Sequence, residues 1–132
     1  MSEPLSIASR LPLNHGGAIP VLGLGVWRAG AGDGTRTAVG KALEAGYRLI
    51  DTARMYGNEV EIGEAIRASG IPREEIFVTT KLSSRDHGYD SALAAAQASL
   101  DRLNLGYVDL YRIHWPSVEP PARRLETWRA FE

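Results

Sequence analysis

Gly46-Tyr47-Arg48-Leu49-Ile50-Asp51 decides how the rest of the chain is read. Gly46 follows a run, Thr35 to Ala45, in which Val39, Ala42 and Leu43 recur at helical spacing. A glycine at that place takes the left-handed backbone that ends helices. Tyr47 to Asp51 then reads as a short strand. The same alternation repeats downstream. Asn58 to Ser69 is a helix with Ile62, Ala65 and Ile66 on one face and Gly70 closing it. Ile76 to Lys81 is a strand rich in β-branched residues. Ser91 to Leu103 is a helix whose inner stripe is read as Leu93, Ala96, Leu100 and Leu103, and Tyr107 to His114 is a further strand. Pro116, Pro120 and Pro121 interrupt the chain before a last amphipathic helix, Arg124 to Glu132, with Leu125, Trp128 and Phe131 apolar.

Upstream, Leu22 to Trp27 is a short strand and the glycine-rich Ala29 to Gly34 a loop. Leu11 to Leu22 forms a hairpin around Asn14-His15-Gly16-Gly17, residues that tolerate positive φ. The order is a hairpin followed by four alternating strands and helices, which implies a parallel sheet with helices outside. An open doubly wound sheet and a (β/α)₈ TIM barrel both satisfy it. A full barrel takes about 250 residues, so 132 residues supply half of one. No linker divides residues 1–132, which are read as a single partial domain. Met1 is read as a natural start, whereas the end falls inside a helix.

Composition narrows the chemistry. Apolar residues make up 44% and charged residues 23%, a globular balance. Fifteen basic residues face sixteen acidic ones without a run of one sign, which argues against a nucleic-acid or membrane surface. The absence of cysteine removes disulfides, thiolate metal sites and thiol catalysis. No signal pattern or membrane-length apolar run is visible, so a soluble, cytoplasmic protein is expected. No metal-ligand spacing, phosphate-binding loop or nucleophile elbow occurs. Gly23-Leu24-Gly25 is not a dinucleotide fingerprint, because Arg28 stands where its third glycine belongs.

The polar residues that close the strands are the informative ones. Asp51, Lys81 and His114 each end a strand, and Tyr56 lies just past Asp51. In a parallel barrel these ends open on one rim, where active sites sit. Singly, each has an ordinary explanation: a helix cap, a solvated lysine, a packed tyrosine, a core histidine. Together at one rim they point to proton transfer.

Gly46 to Ala53 followed by Tyr56-Gly57-Asn58-Glu59 closely resembles the first motif of the aldo-keto reductases. Leu103-Asn104-Leu105-Gly106-Tyr107-Val108-Asp109-Leu110-Tyr111, then Ile113-His114-Trp115-Pro116, resembles the second, and Phe77 to Leu82 matches the segment carrying the family's lysine. The resemblance runs from about Leu11 to Glu132. It implies the N-terminal half of a TIM barrel that reduces aldehydes or ketones with NADPH. It also implies a catalytic tetrad of Asp51, Tyr56, Lys81 and His114. A free phenol, with a pKa of about 10, is a poor acid at neutral pH; an ammonium beside it stabilises the phenolate. In this pattern Asp51 holds Lys81, Tyr56 protonates the developing alkoxide, and His114 orients the carbonyl. Gly25, Val26 and Trp27 match the segment near the nicotinamide, so the expected cofactor-binding set is Gly25, Val26, Trp27, Asp51 and Lys81. His114, Trp27 and Trp115 are expected to meet the substrate.

Three departures from the family stand out. Its second half, with much of the cofactor site, lies outside this sequence, so the 132-residue stretch by itself is expected to be inactive. Completion by a C-terminal half chain, or self-association through unpaired strands, is the expected partnership. Ser83 and Ser84 replace a tryptophan and an asparagine common among relatives, which bears on carbonyl preference. Arg112 stands where relatives usually carry an apolar residue, on the face of His114. It either finds a carboxylate or water below the site, or marks a damaged protein. The alternative to an enzyme is a non-catalytic remnant or interaction subunit of the same ancestry; an unrelated barrel isomerase or lyase is a third reading.

Overall fold

The computed structural model describes residues 4–116 and 120–132; Met1 lies outside them. The hairpin is formed by β1 (Arg10–Pro12) and β2 (Ala18–Pro20), antiparallel, with Leu11 opposite Ile19. The main sheet contains β3 (Leu24–Gly25), β4 (Leu49–Asp51), β5 (Phe77–Leu82) and β6 (Leu110–Ile113), parallel and in sequence order. Helices α1 (Asp33–Glu44), α2 (Glu59–Ala68), α3 (Tyr89–Leu103) and α4 (Pro121–Phe131) alternate with the strands. Strand order equal to chain order is the barrel pattern, since a doubly wound sheet reverses direction partway.

The strands are shorter than the periodicity suggests. Gly23, just before β3, packs against Leu49: an added Cβ would fall 2.5 Å from Leu49 Cγ. The Asp109 carboxylate, just before β6, accepts from Arg73 Nη2 and the Val78 N–H, both at 2.8 Å. That carboxylate ties the start of β6 to β5.

The core lies between sheet and helices and joins Val26, Val39, Leu43, Ile50, Ile62, Ile66, Ile76, Val78 and Leu103. Each fully buried aliphatic side chain of this kind contributes about 1.5–3 kcal/mol. The stripes expected of α1 (Val39, Ala42, Leu43) and α2 (Ile62, Ala65, Ile66) are buried. Gly46 at φ 97° and Gly70 at φ 69° close these helices as the sequence suggests. Helix α2 approaches the end of α3 so closely that a Cβ on Gly63 would lie 1.9 Å from the Leu103 carbonyl oxygen.

Two helix faces differ from expectation. In α3, Leu93 is exposed, and the buried residues are Ala92, Ser99 and Leu103. The helix is turned so that polar Ser99 reaches a buried carboxylate, Glu59. In α4, Leu125 and Trp128 are exposed and Thr127 is buried. The Thr127 hydroxyl accepts from the Gly88 N–H at 2.8 Å and lies 3.0 Å from His87 Nδ1. A capping interaction with the loop before α3, rather than an apolar stripe, therefore seats the helix; Phe131 reaches back to the Tyr111 ring at 5.1 Å.

Candidate active site

The carboxyl ends of β3, β4, β5 and β6 bring Asp51, Tyr56, Lys81 and His114 together. Lys81 is 5% exposed, and a buried ammonium must have each of its protons accepted. Lys81 Nζ donates to Asp51 Oδ2 at 2.7 Å, to the Thr52 carbonyl at 2.8 Å and to the Tyr56 hydroxyl oxygen at 3.3 Å. It also stands 4.9 Å from the centre of the Tyr56 ring. The Tyr56 oxygen thus accepts from a cation while its own proton remains available.

Local structure fixes this placement. Tyr56 sits on a single 3₁₀ turn, Arg54–Tyr56, ended by Gly57 in the left-handed conformation. Below it, buried Thr52 donates to Asn58 Oδ1 at 2.9 Å, and Asn58 Nδ2 donates to the Val26 carbonyl at 3.1 Å. The residues flanking the turn are thus tied to each other, and through Asn58 to Val26 just past β3. His114 follows the last residue of β6, its N–H donating to the Leu82 carbonyl at 3.2 Å. Its ring meets Tyr56 edge to face at 5.5 Å and stacks on Trp115 at 6.1 Å.

Electrostatics follow from these contacts. Burial pushes the Asp51 carboxyl upward, but hydrogen bonds from Lys81 and Thr79 and the charges of Lys81 and Arg112 outweigh it. The result lies below the ordinary aspartate range. His114 is held below its ordinary range by burial first, then by the nearby Lys81 and Arg112 cations, against the opposing Asp51 charge. A neutral imidazole at neutral pH follows, which can donate one hydrogen bond. Its Nδ1 is buried without a hydrogen-bond partner among the described residues.

Trp27, Met55, Tyr56, His114 and Trp115 line a cleft of about 320 Å³. Trp27 and Trp115 are largely exposed and form its walls. A larger cleft of about 560 Å³ lies between α1 and α2, walled by Arg36, Leu43, Glu64 and Ile71, remote from the strand ends. Size alone does not locate the chemistry, whereas the convergence of ionisable groups does.

Of the residues singled out in the sequence, Asp51, Tyr56, Lys81, His114, Trp27 and Trp115 meet at this rim. Gly25 lies at the end of β3, with open space where a Cβ would stand. Val26 does not join them. Its side chain is 2% exposed in the core, its N–H donates to the Asp51 carbonyl, and its carbonyl accepts from Asn58. Strand alternation turns its side chain away from the cleft.

Sequence reasoning missed Met55, which lines the cleft, and Thr79, whose hydroxyl donates to Asp51 Oδ1. Thr79 was detectable, since it lies two residues before Lys81 on the same strand face. Arg112, left open between a partner and a defect, has a partner: Nη2 donates to Asp51 Oδ1 at 3.0 Å. Among the described residues no helix is long and apolar enough to cross a membrane, and no cluster of potential metal ligands occurs.

Comparison with known proteins gives the same picture. An aldo-keto reductase of Mycobacterium sp. (strain MCS) is 56% identical over 116 residues, covering 88% of this chain and 40% of that protein. The crystal structure of an aldo/keto reductase from Brucella melitensis superposes with a TM-score of 0.87 at 52% identity, covering 93% of this chain and 47% of that one. A Bombyx mori aldo-keto reductase in complex with NADP superposes with a TM-score of 0.84 at 42% identity, covering 96% and 46%. The hairpin and parallel β/α units thus match TIM-barrel enzymes over part of their length, and the chain spans less than half of these relatives. The Aldo/keto reductase family profile matches residues 21–132, and the chain belongs to that family.

Proposed function

We propose that residues 1–132 form the N-terminal part of one barrel domain and carry the acid–base half of an NADPH-dependent reductase of aldehydes or ketones. The observation that carries this reading is the Tyr56 hydroxyl. It lies 3.3 Å from a buried lysine ammonium and shares a cleft with a neutral histidine. A phenol so placed is a proton donor whose conjugate base is stabilised by the adjacent cation.

In this reading Tyr56 gives its proton to the carbonyl oxygen as that oxygen becomes an alkoxide. Lys81 stabilises the phenolate left behind, and Asp51 keeps Lys81 charged and aimed. His114 donates a hydrogen bond that orients the carbonyl, and Trp27 and Trp115 hold the substrate's apolar part. Stabilising charge as it develops is the largest contribution expected of such a site. Asp51, Lys81, Gly25 and Trp27 would hold the nicotinamide end of the cofactor, where the bare Gly25 Cα leaves room for a flat ring. When bound, that cofactor supplies the hydride. The NADP complex of the Bombyx mori relative supports NADPH as the choice. A small carbonyl compound as substrate and a cytoplasmic setting belong to the same proposal, carried by the family.

The stretch by itself is inactive in this reading, because its relatives extend well beyond the matched part. Joining residues 1–132 to the C-terminal portion of the Brucella melitensis relative tests the assignment. The chimera oxidises NADPH when given a simple aldehyde, and the bare stretch does not. A folded chimera that binds NADPH but reduces no aldehyde would favour a non-catalytic interaction protein. Turnover by the bare stretch would overturn the inactivity.

A further inference from the structure

We propose that Arg112 is a positioning residue that acts through Asp51, keeping its carboxylate ionised and its second oxygen turned to Lys81. The inference rests on the reading that Asp51 and Lys81 support the acid Tyr56. Parallel pairing sets Lys81 of β5 beside Arg112 of β6, on one face. Both side chains reach back across the sheet to Asp51 of β4. Lys81 takes Oδ2, while Arg112 and the Thr79 hydroxyl share Oδ1. With one oxygen held from two directions, the carboxylate cannot rotate away from the ammonium.

The charge arrangement adds to this. The groups facing Asp51 are Lys81 from β5, Arg112 from β6 with His114 just past its end, and Tyr56 from the turn after β4; β3 contributes no charged side chain. Two cations stand against one carboxylate. Lys81 is never fully neutralised by its partner, and the site keeps a positive excess where a carbonyl oxygen would gather negative charge. Protonating Asp51 would cost both ion pairs, so Arg112 extends the acidic range over which the arrangement survives. The effect is modest, because the Arg112 side chain is 49% exposed against 6% for Lys81, and water screens it.

The test follows the Asp51 side-chain carboxyl by carbon NMR as pH is lowered, in the chimera described above and in its R112L, R112M and R112K variants. In R112L and R112M the midpoint rises toward that of an ordinary aspartate, and R112K returns it toward the parent. Carbonyl reduction assayed alongside falls about threefold in kcat in R112L with KM unchanged, the size expected of a half-exposed ion pair. An unmoved midpoint in either folded variant overturns the proposal. Loss of the fold in both R112L and R112M also overturns it, since that marks a structural strut. A shifted midpoint without any carbonyl reduction rejects the reductase reading and leaves the Arg112–Asp51 coupling standing.

Discussion

Asp51 and Glu59 are both carboxylates bound to a cation, yet their surroundings differ in kind. Glu59 is closed in. Its oxygens accept from Thr80 at 2.7 Å, Arg102 Nε at 2.7 Å and Ser99 at 3.3 Å, and its side chain is 1% exposed. Each partner belongs to β5 or α3 and none lines the cleft, so the cluster ties α2 to its neighbours. Asp51 also has its partners, but its cation leans on a phenol that keeps a free proton, beside an imidazole with one nitrogen unpartnered among the described residues. A closed network holds the fold, and an open one leaves groups for a substrate to complete. A buried ion pair by itself separates neither case.

The difference can be broken in several ways. The largest effect is expected at the open cluster. In the chimera, Tyr56→Phe lowers kcat about 10²–10⁴-fold and leaves NADPH affinity and thermal midpoint near the parent's. Activity within a few-fold of the parent would assign the proton to another group. At the closed cluster the loss appears in stability instead. Glu59→Ala leaves Arg102 and two hydroxyls without their acceptor and costs about 3 kcal/mol in urea unfolding; a cost under about 1 kcal/mol would show that water or a rearranged Arg102 replaces it.

Arg102→Lys is gentler. An ammonium keeps the charge but cannot reproduce the guanidinium, which binds Glu59 through Nε and Ser99 through Nη2 at 3.1 Å. About 1 kcal/mol should be lost, and no loss at all would make Arg102 a mere counter-charge. The smallest effect concerns pH. Asp51 has a folded pKa below its ordinary value. Its contribution to stability is therefore complete above about pH 4 and declines as pH falls through the folded value. Unfolding free energies measured down through this window should slope less steeply in Asp51→Asn. Identical slopes would mean that Asp51 gains nothing from its partners on folding.

What was legible in the sequence follows from local physics. Period and punctuation located the hairpin, the four parallel strands and the four α-helices, though not the 3₁₀ turn that carries Tyr56, because glycine closure after α1 and α2 and β-branched enrichment in β5 act within a few residues. The strand-end positions of Asp51, Lys81 and His114, with Tyr56 beside them, were also visible, since parallel β/α order puts all such ends on one rim. Contacts between distant segments were not visible. Periodicity identifies a stripe but not the neighbour that covers it, so α3 was rotated onto Leu93 when Glu59 required Ser99 inside. Leu125 and Trp128 of α4 were exposed because Thr127 caps the Gly88 loop. Val26 and Gly25, adjacent in sequence, were sent to opposite faces by strand alternation. Arg112 could be placed on the face of His114, but only the pairing of β6 with β5 carried its guanidinium to Asp51. The sequence by itself determined the order of elements and the kinds of group gathered at the rim. The tertiary structure decided which carboxylate each cation meets, because such pairing depends on distances across the sheet that no local pattern encodes.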